Sequence, residues 1–275
     1  MEASMSVEPN VRVHSPGSRP LQSGLWGERA TDWAEAQEAC HETLYRDVLE
    51  RLAIRGGTRL LDVGCGSGMF CSLALERGAE VRGLDATEPL LAIARTRAAR
   101  ADLRVGDLET LPYEAKSFDV VTGLNSFQYA ADPVKALAEA RRVTRSGGQV
   151  VVATWGRPER CEAGAYFAAM KPLMPPPKPG AGGPFALSDA GALEALAKGA
   201  GLTPMEIRDV PCVFTYPDLD TALRGLLSSG PAVAAIRTSG EAAVRQAVAG
   251  ALEAFTSRTG TVRLENEFRY LVGAA

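Results

Sequence analysis

Between residues 60 and 68 the chain reads Leu60-Leu61-Asp62-Val63-Gly64-Cys65-Gly66-Ser67-Gly68. An apolar run delivers an acidic residue and then three glycines at alternate positions. Lacking a Cβ, glycine reaches positive φ and lets a ligand approach the backbone amides. Leu60 to Val63 predicts a buried strand, and Met69 to Arg77 a helix stopped by Gly78. A loop that leaves a strand at its carboxyl end and enters a helix is where open α/β sheets bind ligands. A dinucleotide loop of the form G-x-G-x-x-G would need its third glycine at Met69, and Gly68 comes one residue early. Asp62 would also repel a pyrophosphate and suits a cationic ligand better.

The elements that would hold this loop follow in regular alternation. A second strand, Glu80 to Leu84, ends at Asp85, and a helix capped by Thr87 runs to Arg100. A third strand, Leu103 to Val105, ends at Gly106-Asp107. Phe118 to Val121 predicts a fourth strand, followed by Asn125-Ser126-Phe127-Gln128-Tyr129. Asp132 and Pro133 open a helix to Val143, Gly147-Gly148 is a turn, and Gln149 to Trp155 is a strong strand. Strands and helices alternating at this spacing mean crossover units and a parallel sheet.

In this order, over residues 56–155, the segments resemble the class I S-adenosylmethionine-dependent methyltransferases, in their small-molecule, methyltransferase type 11-like branch. The resemblance implies an α/β fold: a Rossmann-like, seven-stranded, mostly parallel sheet with helices on both faces. It is expected to carry an N-terminal helical lid and a cap insertion after strand five. The cofactor implied is S-adenosylmethionine, with S-adenosylhomocysteine as product. Family roles carried onto this chain put Asp85, beside Ala86, on the ribose hydroxyls, Asp107 on the adenine amino group and the Leu108 N–H on the ring. Asp62, Gly64, Cys65, Gly66 and Gly68 line the cofactor, and Asn125 contributes its backbone carbonyl. The segment Gly123-Leu124-Asn125-Ser126-Phe127 has no proline pair, unlike enzymes that methylate amino groups of DNA bases or glutamine. The Pro-Cys nucleophile of cytosine C5 enzymes is missing too. The expected acceptor is therefore a small organic molecule, such as a natural-product or secondary-metabolite intermediate. Methylation of RNA or protein is the alternative, as is a linked step such as cyclisation on the same fold.

The methyl of a sulfonium is already activated, so the protein's task is to align it with a nucleophile and exclude water. A general base is optional, and the catalytic residue is left open, with His41, Gln128 and Tyr129 as candidates. His41 falls one residue past an apolar stripe and would equally suit helix packing. Trp26, Trp33, Tyr129, Trp155 and Arg157 are candidates for touching the acceptor, with core packing the competing reading for the tryptophans. The arginines at 95, 97, 100 and 104 read as a solvated helix face.

The 275 residues carry 30 basic and 33 acidic side chains, a net charge of −3. That balance argues against nucleic acid and anionic membrane as partners. No apolar run suits a membrane span, and the first 25 residues lack a signal-peptide block, so a cytoplasmic location is expected. The five cysteines form no C-x-x-C pair and only two histidines accompany them, so no metal is expected. The partner expected is a small-molecule substrate, and a homo-oligomer is compatible with the sequence. Residues 1–275 read as one methyltransferase domain: arm and lid helix 1–55, cofactor core 56–155, Pro-rich substrate cap 156–201, and remaining strands and helices 202–275. Trp33, Ala36, Cys40, Leu44, Val48 and Leu52 predict one continuous helix from Trp26 to Leu52. After the cap, helices are predicted at Ser188 to Ala200, Leu219 to Leu227 and Glu241 to Phe255. Leu202 to Phe214 is predicted as a strand pair or as one long strand interrupted at Pro211, and Arg263 to Val272 as a closing strand.

Overall fold

Residues 17–176 and 183–275 are described by the computed structural model. Residues 1–16 of the predicted arm, and residues 177–182 of the Pro-rich stretch, lie outside the described residues. The sheet is built around β1 (Arg59–Val63), whose Leu60, Leu61 and Val63 are fully buried. Leu60 joins the core on one face, and Leu61 and Val63 the core on the other. A strand buried on both faces reads as a continuous apolar run, the mark of a parallel sheet under two helical layers.

The strands in chain order are β1, β2 (Glu80–Asp85), β3 (Asp102–Val105), β4 (Phe118–Leu124), β5 (Thr144–Trp155), β6 (Thr203–Tyr216) and β7 (Val262–Ala274). They form one seven-stranded sheet in the order β3-β2-β1-β4-β5-β7-β6. The pairs among β1 to β5 are parallel, and β7 runs antiparallel to both β5 and β6. The helices are α1 (Arg19–Gly27), α2 (Ala30–Asp32), α3 (Glu42–Arg51), α4 (Met69–Glu76), α5 (Glu88–Arg97), α6 (Pro133–Val143), α7 (Gly164–Met170), α8 (Ala192–Gly199), α9 (Leu219–Leu226), α10 (Gly230–Ser239) and α11 (Glu241–Leu252). α6 and α8 cover one face through Leu137, Val143, Leu193 and Leu196. α3, α4, α7, α9 and α11 close the other, over Trp155, Phe214, Phe268 and Tyr270.

Three predicted elements differ from what forms. The continuous helix over 26–52 is broken: α1 and α2 are followed by a π-turn over Trp33–Gln37 and a 3₁₀ turn over Glu38–His41 before α3 begins. The physical reason is a set of distant polar anchors. The Tyr216 hydroxyl donates to Gln37 Oε1 at 2.7 Å, and Arg97 donates to the carbonyl of Ala34 at 3.2 Å. An ideal α-helix would rotate these groups away from their partners. The predicted turn at Gly147-Gly148 is a bulge inside β5, where pairing with β4 shifts between Phe118 and Val120. A Cβ on Gly148 would lie 2.7 Å from the Asp119 carbonyl, so the strands pass too closely there for a side chain. β6 runs unbroken through Pro211, because it pairs with β7 alone and its outer edge needs no donor from that residue.

Candidate active site

β1, β2 and β4 all end at one side of the sheet, and the loops that leave them meet there. Gly64, Gly66 and Gly68 have φ of +81°, +53° and +82°. A Cβ on Gly64 would lie 2.4 Å from Ser126 Cβ, and one on Gly68 would lie 2.8 Å from Ala94 Cβ. Those two glycines therefore serve close packing, against the loop after β4 and against α5. Gly66 differs: its nearest neighbours, Glu38 Oε1 and Trp33 Nε1, stand 3.7 and 3.8 Å from a built Cβ. A Cβ there would make only ordinary van der Waals contacts, so it is the positive φ that requires glycine at this position, which lies at the wall of a cavity partly open to solvent.

Asp62, Gly64, Cys65, Gly66, Asp85, Ala86, Leu108 and Asn125 line this cavity, together with Trp26, Trp33, His41 and Tyr129. Five other candidates do not. Gly68 is the packing glycine at the start of α4. Asp107 accepts from the backbone amides of Arg19 at 3.0 Å and Glu109 at 2.8 Å, so it holds the first turn of α1 rather than facing the cavity. Gln128 is buried behind Asn125, donating to its Oδ1 at 3.1 Å. Trp155 packs among Phe167, Phe185, Phe214 and Phe268, a core position. Arg157 is half exposed beside Glu267.

Asp85 joins two segments of the cavity wall. Its Oδ2 accepts from the Gly66 amide and its Oδ1 from the Thr87 amide, both at 2.9 Å. It thus ties the glycine loop to the start of α5, and each oxygen retains acceptor capacity. Asp62 is buried, takes a hydrogen bond from Thr122 Oγ1 at 2.7 Å, and has its carboxyl pushed up to about 7. Burial is the chief cause, and the carboxylates of Asp85 and Glu38 add to it against the Thr122 hydrogen bond. Asn125 sits in the left-handed region at φ +59°, where its amide donates to the Ala153 carbonyl at 2.9 Å.

Sequence reasoning missed Glu38, Tyr45 and Gln22, which also line the cavity, and misplaced Arg97. Glu38 is 2% exposed. Its carboxylate accepts from Ser67 Oγ and from Arg97, and Arg97 also donates to Ala34. Arg97 is therefore no part of a solvated helix face; it pins the 33–41 segment against the glycine loop. The missed signal was weak: a glutamate within the helical pattern of the N-terminal segment and an arginine in a run of arginines name no partner. On the far side of the cavity Trp26 meets Trp33 edge to face, with centroids 5.0 Å apart, and Tyr129 at 5.5 Å. The Gln22 amide donates to the Tyr129 carbonyl, closing α1 over that end. His41 is 3% exposed and sits among Trp33, Tyr45, Phe214 and Phe268. Burial lowers its imidazole to about 4.

Two outcomes follow for stability. Arg97→Met leaves the Glu38 carboxylate buried without its counter-ion and should destabilise the fold by about 3 kcal/mol in denaturant titrations, the lower end for a pair that loses one partner. Asp62 holds its proton more tightly folded than unfolded, so its contribution is present at acid pH and is lost as pH rises from the ordinary carboxylate range through about 7. Asp62→Asn should flatten the fall in denaturation midpoint between pH 5 and pH 8, and an unchanged slope would contradict the assignment.

A family model described as a methyltransferase domain matches residues 61–152, the stretch from β1 to β5. The ubiquinone biosynthesis O-methyltransferase of Sinorhizobium medicae is 40% identical over 117 residues, 41% of this chain and 47% of that protein. The malonyl-[acyl-carrier protein] O-methyltransferase of Erwinia pyrifoliae is 31% identical over 197 residues, 72% of this chain and 70% of that protein. This chain thus spans about half the length of the former and more than two thirds of the latter. Among solved structures, the geranyl diphosphate C-methyltransferase of Streptomyces coelicolor matches with a TM-score of 0.57 at 12% identity, covering 95% of this chain and 98% of that one. The [4+2]-cyclase SpnF matches with a TM-score of 0.56 at 22% identity, covering 93% and 97%. These two share the fold. The match to the Erwinia protein over most of both chains, with the family model on the strands that build the cavity, makes this chain a member of the class I S-adenosylmethionine-dependent methyltransferase family.

Proposed function

We propose that this chain transfers a methyl group from S-adenosylmethionine to a small organic acceptor, as a single methyltransferase domain. The observation that carries the reading is the pairing of Asp85 with the Gly66 amide at the cavity wall. A carboxylate held by two backbone amides, with lone pairs to spare beside a glycine at the cavity wall, fits a ribose with two vicinal hydroxyls. Buried carboxylates at Asp62 and Glu38 suit the cationic, methionine end of the same cofactor. Leu108 and Leu90 supply apolar surface for a flat base.

When bound, the cofactor supplies an activated methyl group that leaves a neutral thioether. The chain's own residues then have three tasks. Gly64, Gly66 and Asp85 orient the ligand against the sheet. Trp26, Trp33 and α1 exclude water from the space above it. Asn125, turned by its left-handed backbone, presents polar groups from the loop after β4. Holding two reactants in line accounts for much of the barrier reduction in such displacements. The curated relatives named above are O-methyltransferases, which supports oxygen as the accepting atom.

Calorimetry tests the reading. Purified protein should bind S-adenosylmethionine and S-adenosylhomocysteine, and Asp85→Ala should weaken both by at least about tenfold, the loss expected for hydrogen bonds to a charged acceptor. Undetectable binding at millimolar cofactor would contradict the proposal.

A further inference from the structure

Three carboxylates line the cavity, and the protein engages both oxygens of two of them. Asp62 accepts from Thr122 on one oxygen and faces the Cys71 thiol with the other. Asp85 takes the Gly66 and Thr87 amides, one on each oxygen. Glu38 is held mainly on one side: its Oε2 takes Ser67 and Arg97, while Oε1 has a single long contact, with the Met69 amide at 3.4 Å. The ion pair with Arg97 offsets the cost of burying that charge. Oε1 therefore has acceptor capacity left at the cavity wall.

The same oxygen stands beside a donor. A Cβ built on Gly66 has Glu38 Oε1 at 3.7 Å and Trp33 Nε1 at 3.8 Å as its nearest neighbours, so a carboxylate oxygen and an indole N–H face the glycine loop side by side. An acceptor next to a donor matches a zwitterion, whose ammonium donates and whose carboxylate accepts. Glu38 also changes what the loop can hold. A loop that runs into a helix N-terminus ordinarily suits phosphate, through free amides and the helix dipole. Here the Met69 amide that opens α4 points at Glu38, and a phosphate placed there would meet like charge.

We propose, resting on the methyl-transfer reading above, that Glu38 and Trp33 hold the amino-acid end of the cofactor, Glu38 accepting from its ammonium and the Trp33 N–H donating to its carboxylate, and that Glu38 turns away adenosine ligands with a phosphate on the 5′ carbon. Asp85 and the apolar wall read the nucleoside, which all such ligands share. Glu38 and Trp33, from the segment between α2 and α3, read the group in which they differ.

The test is calorimetry on the full chain, after wild-type binding of S-adenosylhomocysteine has been established; failure at that step falls on the methyl-transfer reading itself. 5′-Methylthioadenosine keeps the nucleoside and the thioether and lacks the amino acid. Glu38→Gln and Trp33→Phe should each weaken S-adenosylhomocysteine by at least about tenfold, the loss expected for a hydrogen bond to a charged group, and leave 5′-methylthioadenosine within about threefold. Equal losses for the two ligands, or no loss for either, overturn the assignment. Trp33→Phe keeps a ring beside Trp26 and so decides the matter even where loss of the Glu38 charge unfolds the segment. Wild type should bind adenosine 5′-monophosphate at least about 100-fold more weakly than 5′-methylthioadenosine, as like charges at close range demand, and Glu38→Gln should recover at least about tenfold of that gap. Comparable wild-type affinities for the two, or a gap unchanged in Glu38→Gln, overturn the selectivity assigned to Glu38.

Discussion

A backbone that leaves β1 and enters α4 between Val63 and Met69 must turn through the left-handed region, and Gly64, Gly66 and Gly68 all do so. Asp85 takes the amide in the middle of the turn. The rest of the site is arranged around it. Gly64 gives Ser126 room to reach the Val63 carbonyl at 2.6 Å, which seats the loop after β4. Gly68 lets α5 approach α4. Gly66 lies at the cavity wall, where its positive φ is what requires glycine.

The second layer is electrostatic. The N-terminal segment is held by little apolar surface from α1, which has no fully buried residue, and by a few strong polar contacts instead. Glu38 carries the central one: a carboxylate taken out of water is costly unless paired, and Ser67 and Arg97 pair it. The result is a wall segment whose position over the glycine loop depends on charge, with Trp33 and His41 carried on either side of the anchoring residue. Asp107 and Glu109 add a second tether, accepting from the Arg19 and Ser18 amides and so fixing where α1 begins.

The sheet was largely legible from residue order, because buried parallel strands are short apolar runs ending in glycine or acid, and that local signature survives folding. Asp62, Asp85 and the glycines could be named for the same reason. Glu38 and Arg97 could not: their meaning lies in a contact between residues 59 apart in sequence, and each alone matches a solvated helix position. The unbroken helix expected from Trp26 to Leu52 failed on the same ground, since its apolar spacing is real while Gln37, Ala34 and Glu38 answer to partners elsewhere. α10 escaped notice because Gly230-Pro231-Ala232 opens it without an apolar stripe. Trp155 looked like a ligand-facing residue at a strand end, but the aromatic side chains of β6, β7 and the α7 region enclose it.

In the proposed function one cavity, between the glycine loop and the 33–41 segment, holds the cofactor. A crystal structure of the protein grown with S-adenosylhomocysteine tests it most directly. Density for the nucleoside against Gly66 and Asp85, with Trp33 and Glu38 on its other side, is the predicted result. Well-defined ligand density at any other place in the fold, with this cavity filled by water alone, would contradict it.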